Sequence, residues 1–461
     1  MDTVWKLRPN VKWHDGKPFT SADMILTFST LKDPELPSLP TSGGRPDLMA
    51  SASAPDPLTF VVHWTGTYVR ANEASNLDPL ADHIVGDLYR TDKTAFLNHP
   101  WFTSEFVGLG AYRLIRWERG SHVEFARFDG YYRGRPALDR VIVRFMGDSN
   151  AMIAAILSEA VDVVLPSGET GDIDAALEVK RRWEGTGHQV VIAVKGEVEN
   201  FEIQHQPAIA KPRNGLTQRP VRQALYHALD RDMLSQATTQ GLSPAADSVF
   251  RPTDELRPQL EAHIPKFPYD PARALQLLSE AGWMRASDGG LVHQTSGDRF
   301  ALQIMASAGP GIEREVSIVA DYWKAVGVQV EFDLIPPARQ GNREYEASMT
   351  GVFLTSPGAL NYLDARLHSR FTPSAATRWA GSNRGGYNNP AWDSLVDALA
   401  VTIDPRERIN VLGQMSQTFA DIPMMPLFWE IIPVLALRGV KLTPPSDQTA
   451  TWGMFEWDYK S

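Results

Sequence analysis

The sequence predicts a mixed α/β protein with more than one folding unit. Strand-like and helix-like patterns alternate along most of the chain, which is typical of α/β architecture. The length of 461 residues exceeds the usual size of one domain and suggests about three folding units. With 43% hydrophobic and 22% charged residues, the composition is that of a globular protein with sizeable cores.

The first part of the chain predicts strands around one capped helix. Residues 3–7 alternate like a strand, and Thr20 and Asp23 have the spacing of a capping box at the start of a helix. Residues 33–57 are rich in proline and glycine, so we expect a long surface connection there. Alternating apolar residues predict further strands at 59–64 and 138–145 and a β-hairpin at 111–127.

The rest of the chain continues the alternation. Ser149 is placed to cap a helix, and an apolar run at 161–165 predicts a strand. The apolar spacing after Pro220 predicts one helix over 220–234. The remaining predicted elements are a helix from Pro271, strands at 300–306 and 328–334, and helices at 312–326 and 391–401.

The charge argues against nucleic acid as a partner, and the apolar runs argue against a transmembrane helix. The formal net charge is −10 and the basic residues form no clusters, so nucleic acid is not expected as a partner. The longest apolar run, 424–437, is shorter than a bilayer span and contains two prolines and a glutamate. The chain has no cysteine, which excludes disulfides and thiolate chemistry but leaves the cellular compartment open.

No motif of a common enzyme class is present. The sequence lacks a phosphate-binding loop and a serine elbow, and Gly108-Leu109-Gly110 lacks the third glycine of a dinucleotide fingerprint. No two histidines have the spacing of a helical zinc pair. We therefore predict no catalytic residue, no metal site and no cofactor, although a site assembled from distant residues stays open.

Several separated segments carry a family resemblance. They read VWKLRPNVKWHDGKPFTSAD at 4–23, GLGAYRL at 108–114, GYYRGRPALD at 130–139, RPVRQAL at 219–225, YDPARA at 269–274 and GYNNPAWD at 386–393. In these motifs the chain resembles the family-5 extracellular solute-binding proteins of ABC importers, which bind dipeptides, oligopeptides, nickel or oligosaccharides. The motifs themselves are expected to be scaffold, with Asp270 capping the helix opened by Pro271.

The resemblance implies a two-lobed periplasmic-binding-protein fold of type II, similar to cluster C, with an extra subdomain on the first lobe. The extra subdomain is expected at 1–138, the first lobe at 139–247 with 440–461, and the second lobe at 248–439. Hinge closure on a solute is expected about the crossovers near 247–251 and 435–441.

The resemblance also implies function and partners. It points to the receptor of an ABC-type importer that takes a small-molecule or peptide solute and delivers it to the permease's transmembrane subunits. Such a protein is expected to be a monomer, peripheral to the membrane, in the periplasm or at the cell surface as a lipoprotein. Two alternatives stay open, namely an enzyme or a ligand-sensing regulator on the same scaffold.

The resemblance implies ligand-binding residues in two segments. In this family the pocket is built partly by the segment matching 351–357 and partly by the aromatic segment before the return crossover. The candidate ligand-binding residues are Gly351, Val352, Phe353, Thr355, Ser356, Phe428, Trp429 and Glu430, with Trp379 behind them.

Thr355 marks a departure from the peptide-binding members of the family. They have an aspartate at this place that pairs with the peptide's α-amine, and a hydroxyl supplies no such charge. We expect a neutral or differently anchored solute, such as an oligosaccharide, a modified peptide or a metal chelate. The alternatives are a shifted register, or an amine met by another carboxylate, for instance Glu430.

The start of the chain carries one further expectation. The family signature begins almost at Met1, whereas relatives have an export signal and an additional strand before it. We expect a shortened form of an exported protein; the alternative is a natural short variant.

Overall fold

A computed structural model describes residues 1–36, 45–73, 77–147, 149–165, 173–359, 362–442, 451 and 453–459. Contacts within the chain define two compact units. Among the described residues, the first unit holds 1–165, 174–192 and 433–459, and the second holds 193–432 with Ile173. Two of the boundaries between the units, at 192/193 and 432/433, fall inside long strands.

The first unit contains two three-stranded antiparallel sheets, in the orders β1-β3-β2 and β4-β5-β6. Its strands are β1 (Asp2–Lys6), β2 (Met49–Asp56), β3 (Thr59–Trp64), β4 (Tyr112–Glu118), β5 (His122–Arg127), β6 (Arg140–Arg144) and β7 (Val163–Val164). Its helices are α1 (Ser21–Lys32), α2 (Asp87–Thr91), α3 (Lys93–Leu97), α4 (Ser149–Leu157) and α5 (Ile173–Arg182).

The second unit is built on a mixed sheet with helices packed against it. Its strands are β8 (Gln189–Ile203), β9 (Trp283–Arg285), β10 (Leu291–His293), β11 (Ala301–Ser307), β12 (Gln329–Ile335), β13 (Val352–Thr355) and β14 (Met424–Ala436). Its helices are α6 (Arg219–His227), α7 (Arg231–Thr239), α8 (Arg257–Leu260), α9 (Pro271–Glu280), α10 (Pro310–Ala325), α11 (Arg343–Ala347), α12 (Pro390–Val401) and α13 (Pro405–Thr418). The pair β15 (Val440–Lys441) and β16 (Asp458–Tyr459) returns to the first unit.

The large sheet runs in the order β12-β11-β13-β8-β14-β7. Strand β11 is parallel to β12 and to β13, whereas β13 is antiparallel to β8, with Val352 opposite Ile203 and Thr355 opposite Asn200. The short β7 pairs with the last residues of β14, Leu435 and Ala436. Apolar residues on the two faces of the second unit's strands form separate cores with α6, α9 and α10 and with α12 and α13.

Most predicted elements are confirmed within a few residues of their ends. Thr20 closes the predicted capping box with Asp23, and Asp270 accepts a hydrogen bond from the backbone N–H of Arg273 to cap α9. Gly16, with φ of 87°, makes a turn that favours glycine. Strands β4 and β5 form the hairpin predicted at 111–127.

Two predictions of local structure are wrong. The helix expected over 220–234 is two helices, because the Asp230 side chain accepts a hydrogen bond from the Met233 N–H and starts α7. The connection expected over 33–57 contains β2, which pairs with β3. Its small and polar residues hid the strand, since they show no apolar alternation.

The contact-based units and the predicted lobes divide the chain differently. Residues 193–247 fall in the second unit, whereas we expected them in the first lobe. Contact density does not by itself identify which parts move together, so the lobe boundaries and the hinges stay a prediction.

Arg222 of α6 anchors the helix to the residues just before β14. Its guanidinium donates to the carbonyl oxygens of Leu216, Asp421 and Ile422 and to the Asp421 carboxylate, at 2.8–3.1 Å. The Arg222 side chain is 5% exposed. Buried carbonyls that lose such a donor have no water to replace it, so this arginine is a structural residue.

Arg222→Met should therefore destabilise the protein by about 3 kcal/mol, because it leaves several buried acceptors without a donor. Urea unfolding followed by tryptophan fluorescence measures the change. Arg219→Met, at an exposed position of the same helix, is the matched control and should change stability by less than about 0.5 kcal/mol. Equal effects of the two substitutions would contradict the anchoring role.

Candidate functional site

The segment 351–357 lies alongside β8 and is joined to it by backbone hydrogen bonds. After β13, the Val198 N–H donates to the Pro357 carbonyl at 3.2 Å and the Ala359 N–H donates to the Gly196 carbonyl at 2.9 Å. A Cβ at Gly351 would lie 2.1 Å from the carbonyl oxygen of Gln303. Only glycine fits there, so Gly351 positions the segment through its backbone.

The apolar candidates of β13 belong to the protein core. Val352 is fully buried in the core that also contains Leu354, and Phe353 packs with Met305 and Met349. Thr355 is also buried, and its carbonyl accepts a hydrogen bond from the Asn200 amide at 2.8 Å. The structure thus gives Val352 and Phe353 packing roles.

Phe428 and Trp429 lie on opposite faces of β14, as successive strand residues must. Phe428 packs in the core with α6 and α10, and Trp429 packs in the core with α12 and α13. Each is 1% exposed. Both aromatic rings are buried in the second unit's cores.

Glu430 is the candidate with the most unusual surroundings. The Lys195 ammonium donates to Glu197 Oε2 at 2.9 Å and to Glu430 Oε2 at 3.2 Å. Ser356 lies close enough to influence the Glu430 carboxyl. We call Lys195, Glu197, Ser356 and Glu430 the Lys195 cluster.

Burial dominates the electrostatics of this cluster. Desolvation raises the pKa of Glu430 to about 8, since Glu197 adds to it and the Ser356 hydroxyl and Lys195 ammonium offset only part. Burial opposes the charge on Lys195, but the neighbouring Glu430 and Glu197 side chains raise the pKa of Lys195 above its usual value. At neutral pH the Glu430 carboxyl group is therefore largely protonated.

A second buried cluster was missed by the sequence analysis. Arg384 lies 3.4 Å from Glu202 and 3.0 Å from Glu346, and Arg366 also pairs with Glu202. The Arg384 guanidinium stacks over the Phe353 ring, 5.3 Å from its centroid. Beside it is a cavity of about 10 Å³, which holds one water molecule at most. These residues are far apart in sequence, so no local pattern indicated them.

Trp379 is held in an unusual turn. Arg378 and Trp379 have φ values of 51° and 59°, a region that bulky residues rarely adopt, and the Trp379 N–H donates to the Ser374 carbonyl at 2.8 Å. The Trp379 side chain is half-buried. No hydrogen bond joins it to the Lys195 cluster in the described part of the chain.

The structure thus brings together Ser356 and Glu430, two of the predicted candidates, and adds Lys195 and Glu197. The sequence did contain a signal for the added pair, because β8 has charged residues at 195, 197 and 199, which face the same side of a strand. Which of the candidate residues contact a solute stays a prediction.

Two further features of the described residues concern metal binding and membranes. Within the described ranges, no three His, Asp or Glu side chains are arranged to hold a metal ion. No helix in those ranges is both long and apolar enough to cross a membrane.

Comparisons with known proteins identify the family of the chain. The model of the family described as "Bacterial extracellular solute-binding proteins, family 5 Middle" matches residues 3–373. The chain belongs to this family. It is 23% identical to the oligopeptide-binding protein AppA of Bacillus subtilis over 333 residues, which are 72% of this chain and 58% of AppA. It is 23% identical to the dipeptide-binding protein of Escherichia coli, over 91% of this chain and 76% of that protein.

Solved structures give the same fold. AppA in complex with a nonapeptide superposes with a TM-score of 0.82 at 19% identity, covering 100% of this chain and 87% of AppA. NikZ of Campylobacter jejuni in complex with Ni(L-His) gives 0.81 at 18% identity, covering 99% and 88%. The predicted fold class is confirmed. The aligned sequence spans about half the length of the first curated relatives, 58% of AppA and 48% of one in Brucella ovis.

Glu430 should make stability depend on pH. Its pKa is about 8 in the folded state against 4.5 as a reference, so the folded protein binds more protons than the unfolded chain between these values. Stability should then fall as pH rises from 5 to 8, by roughly 1 kcal/mol per pH unit. The measurement is urea unfolding of the wild type and Glu430→Gln, whose difference in unfolding free energy isolates the carboxyl group.

Glu261→Gln is the control for this prediction. Arg257 and Lys266 lower the pKa of exposed Glu261, so its contribution is already complete above pH 5 and should stay constant up to pH 8. A constant difference between the wild type and Glu430→Gln over the same range would show that the Glu430 carboxyl is not shifted upward.

Proposed function

We propose that this protein is the solute-binding receptor of an ABC-type importer. It captures a peptide or another small solute between its lobes by hinge closure and delivers it to the transmembrane subunits of the permease. The main support for this proposal is the family match over residues 3–373. The names of relatives support it, since AppA and the Escherichia coli protein are named as peptide-binding proteins.

Closure is the physical basis of such a receptor. A solute that contacts both lobes stabilises the closed state by its differential affinity, and the permease would recognise that state. In this proposal the protein acts outside the cytoplasm, in the periplasm or at the cell surface, as a monomer peripheral to the membrane. Nucleic acid is no partner, in keeping with the net charge of −10.

An enzyme on this scaffold is the second candidate, and one observation favours it. A buried carboxyl group with a pKa of about 8, as in Glu430, is the kind of group that general acid–base catalysis uses. However, Glu430 is 2% exposed and already holds the Lys195 ammonium. A binding role without turnover therefore accounts better for the site.

Native mass spectrometry of gently isolated protein tests the receptor against the enzyme. We expect a co-purified solute of defined mass that dissociates unchanged after prolonged incubation, and whose re-addition stabilises the protein by about 2.7 kcal/mol at a hundredfold excess over Kd. Steady conversion of the bound molecule to products would establish an enzyme. Protein that binds nothing from its native cell extract would contradict the receptor.

The solute itself is proposed to lack a free ammonium at the Thr355 end of the site. Thr355 offers no carboxylate, and Glu197 and Glu430 already share the Lys195 ammonium. Titration calorimetry with a short unmodified peptide and its N-acetylated twin should give affinities within about tenfold of each other. Tight binding of the free peptide, with a hundredfold or greater loss on acetylation, would overturn this assignment.

A further inference from the structure

The Lys195 cluster contains two carboxyl groups that face one ammonium. Lys195 Nζ lies 2.9 Å from Glu197 and 3.2 Å from Glu430, both through Oε2 atoms. The Glu430 side chain is 1% exposed, whereas those of Lys195 and Glu197 are 22% and 32% exposed. The Lys195 ammonium thus lies in a space between the partly exposed Glu197 and the buried Glu430. We call the buried side of this space, with Glu430 and Ser356, its inner wall.

Two atoms of the inner wall have unused hydrogen-bonding capacity. Glu430 Oε1 and the Ser356 hydroxyl are buried, and neither completes a hydrogen bond of normal geometry with the described residues. Buried polar side-chain atoms normally have a partner. The Lys195 ammonium has three N–H donors and donates to the two Oε2 atoms, so acceptor capacity for a further donor remains in the cluster.

We propose that this space is a site for a primary ammonium, and that Lys195 fills it with the protein's own side chain. The inference deepens the proposed function and rests on it for its biological meaning. The lysine makes the receptor select solutes that carry no free amine at this end. Without Lys195, the same carboxyl groups would bind the ammonium of a solute.

A tethered ammonium has an advantage over a free one. Lys195 loses no translational freedom when it pairs with Glu430, whereas a solute's amine must do so. Its effective concentration at the site is in the millimolar range or above, so an amine present at lower concentration does not displace it. Exclusion of cationic groups follows from occupancy together with like-charge repulsion.

The test removes the lysine and offers a small amine instead. Lys195→Ala leaves space beside Glu197 and Glu430, and its melting temperature should rise by about 2 °C or more in millimolar ethylammonium chloride. Tetramethylammonium chloride at equal concentration has no N–H donor and should give no rise beyond that of sodium chloride. The wild type should respond to none of these salts.

Lys195→Met is the matched control, since methionine fills the space without a charge and should not respond to ethylammonium. The double variant Lys195→Ala/Glu430→Gln should also lose the response, because the amide replaces one of the two carboxyl oxygens with an N–H donor. No response of Lys195→Ala, or an equal response of Lys195→Met, would overturn the proposal.

A chemical variant covers the case in which Lys195→Ala does not fold. The chain has no cysteine, so Lys195→Cys introduces a single thiol. Alkylation with 2-bromoethylamine restores a side chain that ends in an ammonium, and alkylation with 1-bromopropane gives a neutral one of similar length. We expect only the first product to recover the wild-type melting temperature; equal recovery by both would refute an ammonium site.

These outcomes are independent of the receptor assignment. The amine titrations use no solute and no transporter, so their failure would leave the co-purified solute in place. Conversely, a protein with no solute could still show the ammonium response. As a link between the two, Lys195→Ala should bind an unmodified peptide at least tenfold more tightly than its N-acetylated twin, a preference that the wild type lacks.

Discussion

The position of β8 between β13 and β14 is the constraint on which the second unit depends. This strand receives the segment 351–359 along one edge, through backbone hydrogen bonds that begin opposite Ile203 and continue to Gly196. Its neighbour on the other side is β14. Because alternate residues of a strand face opposite sides, this arrangement fixes which side chains enter the cores and which meet in the polar clusters.

The same constraint explains why Phe428 and Trp429 are buried. Phe428 and Trp429 are adjacent in β14, and each enters a different core. Large aromatic rings supply much of the buried area that such cores need. The polar residue that follows, Glu430, then has little access to water, and its carboxyl group accepts a hydrogen bond from the Lys195 ammonium. Packing around the strand thus sets the chemistry of Glu430.

Two groups of buried charged side chains in the described part of this unit are arranged in pairs and clusters. Arg222 binds backbone carbonyls and Asp421, and Glu202 binds two arginines. Each arrangement compensates a desolvation cost that an isolated charge would impose. The Lys195 cluster combines two buried polar atoms without a hydrogen bond, Glu430 Oε1 and Ser356 Oγ, with a lysine that bridges two glutamates. That combination is the basis of the proposed ligand-binding role.

The sequence by itself determined the alternation of strands and helices, the capping of α1 and α9, and the family, because these depend on neighbouring residues or on ordered motifs. It also indicated Ser356 and Glu430. The break between α6 and α7 escaped it, since apolar spacing continued across the cap at Asp230. Only the tertiary structure decided that Lys195 pairs with Glu430, 235 residues away. Such a pairing follows from the order of strands in the sheet, and strand order is set by long-range packing that no local pattern records.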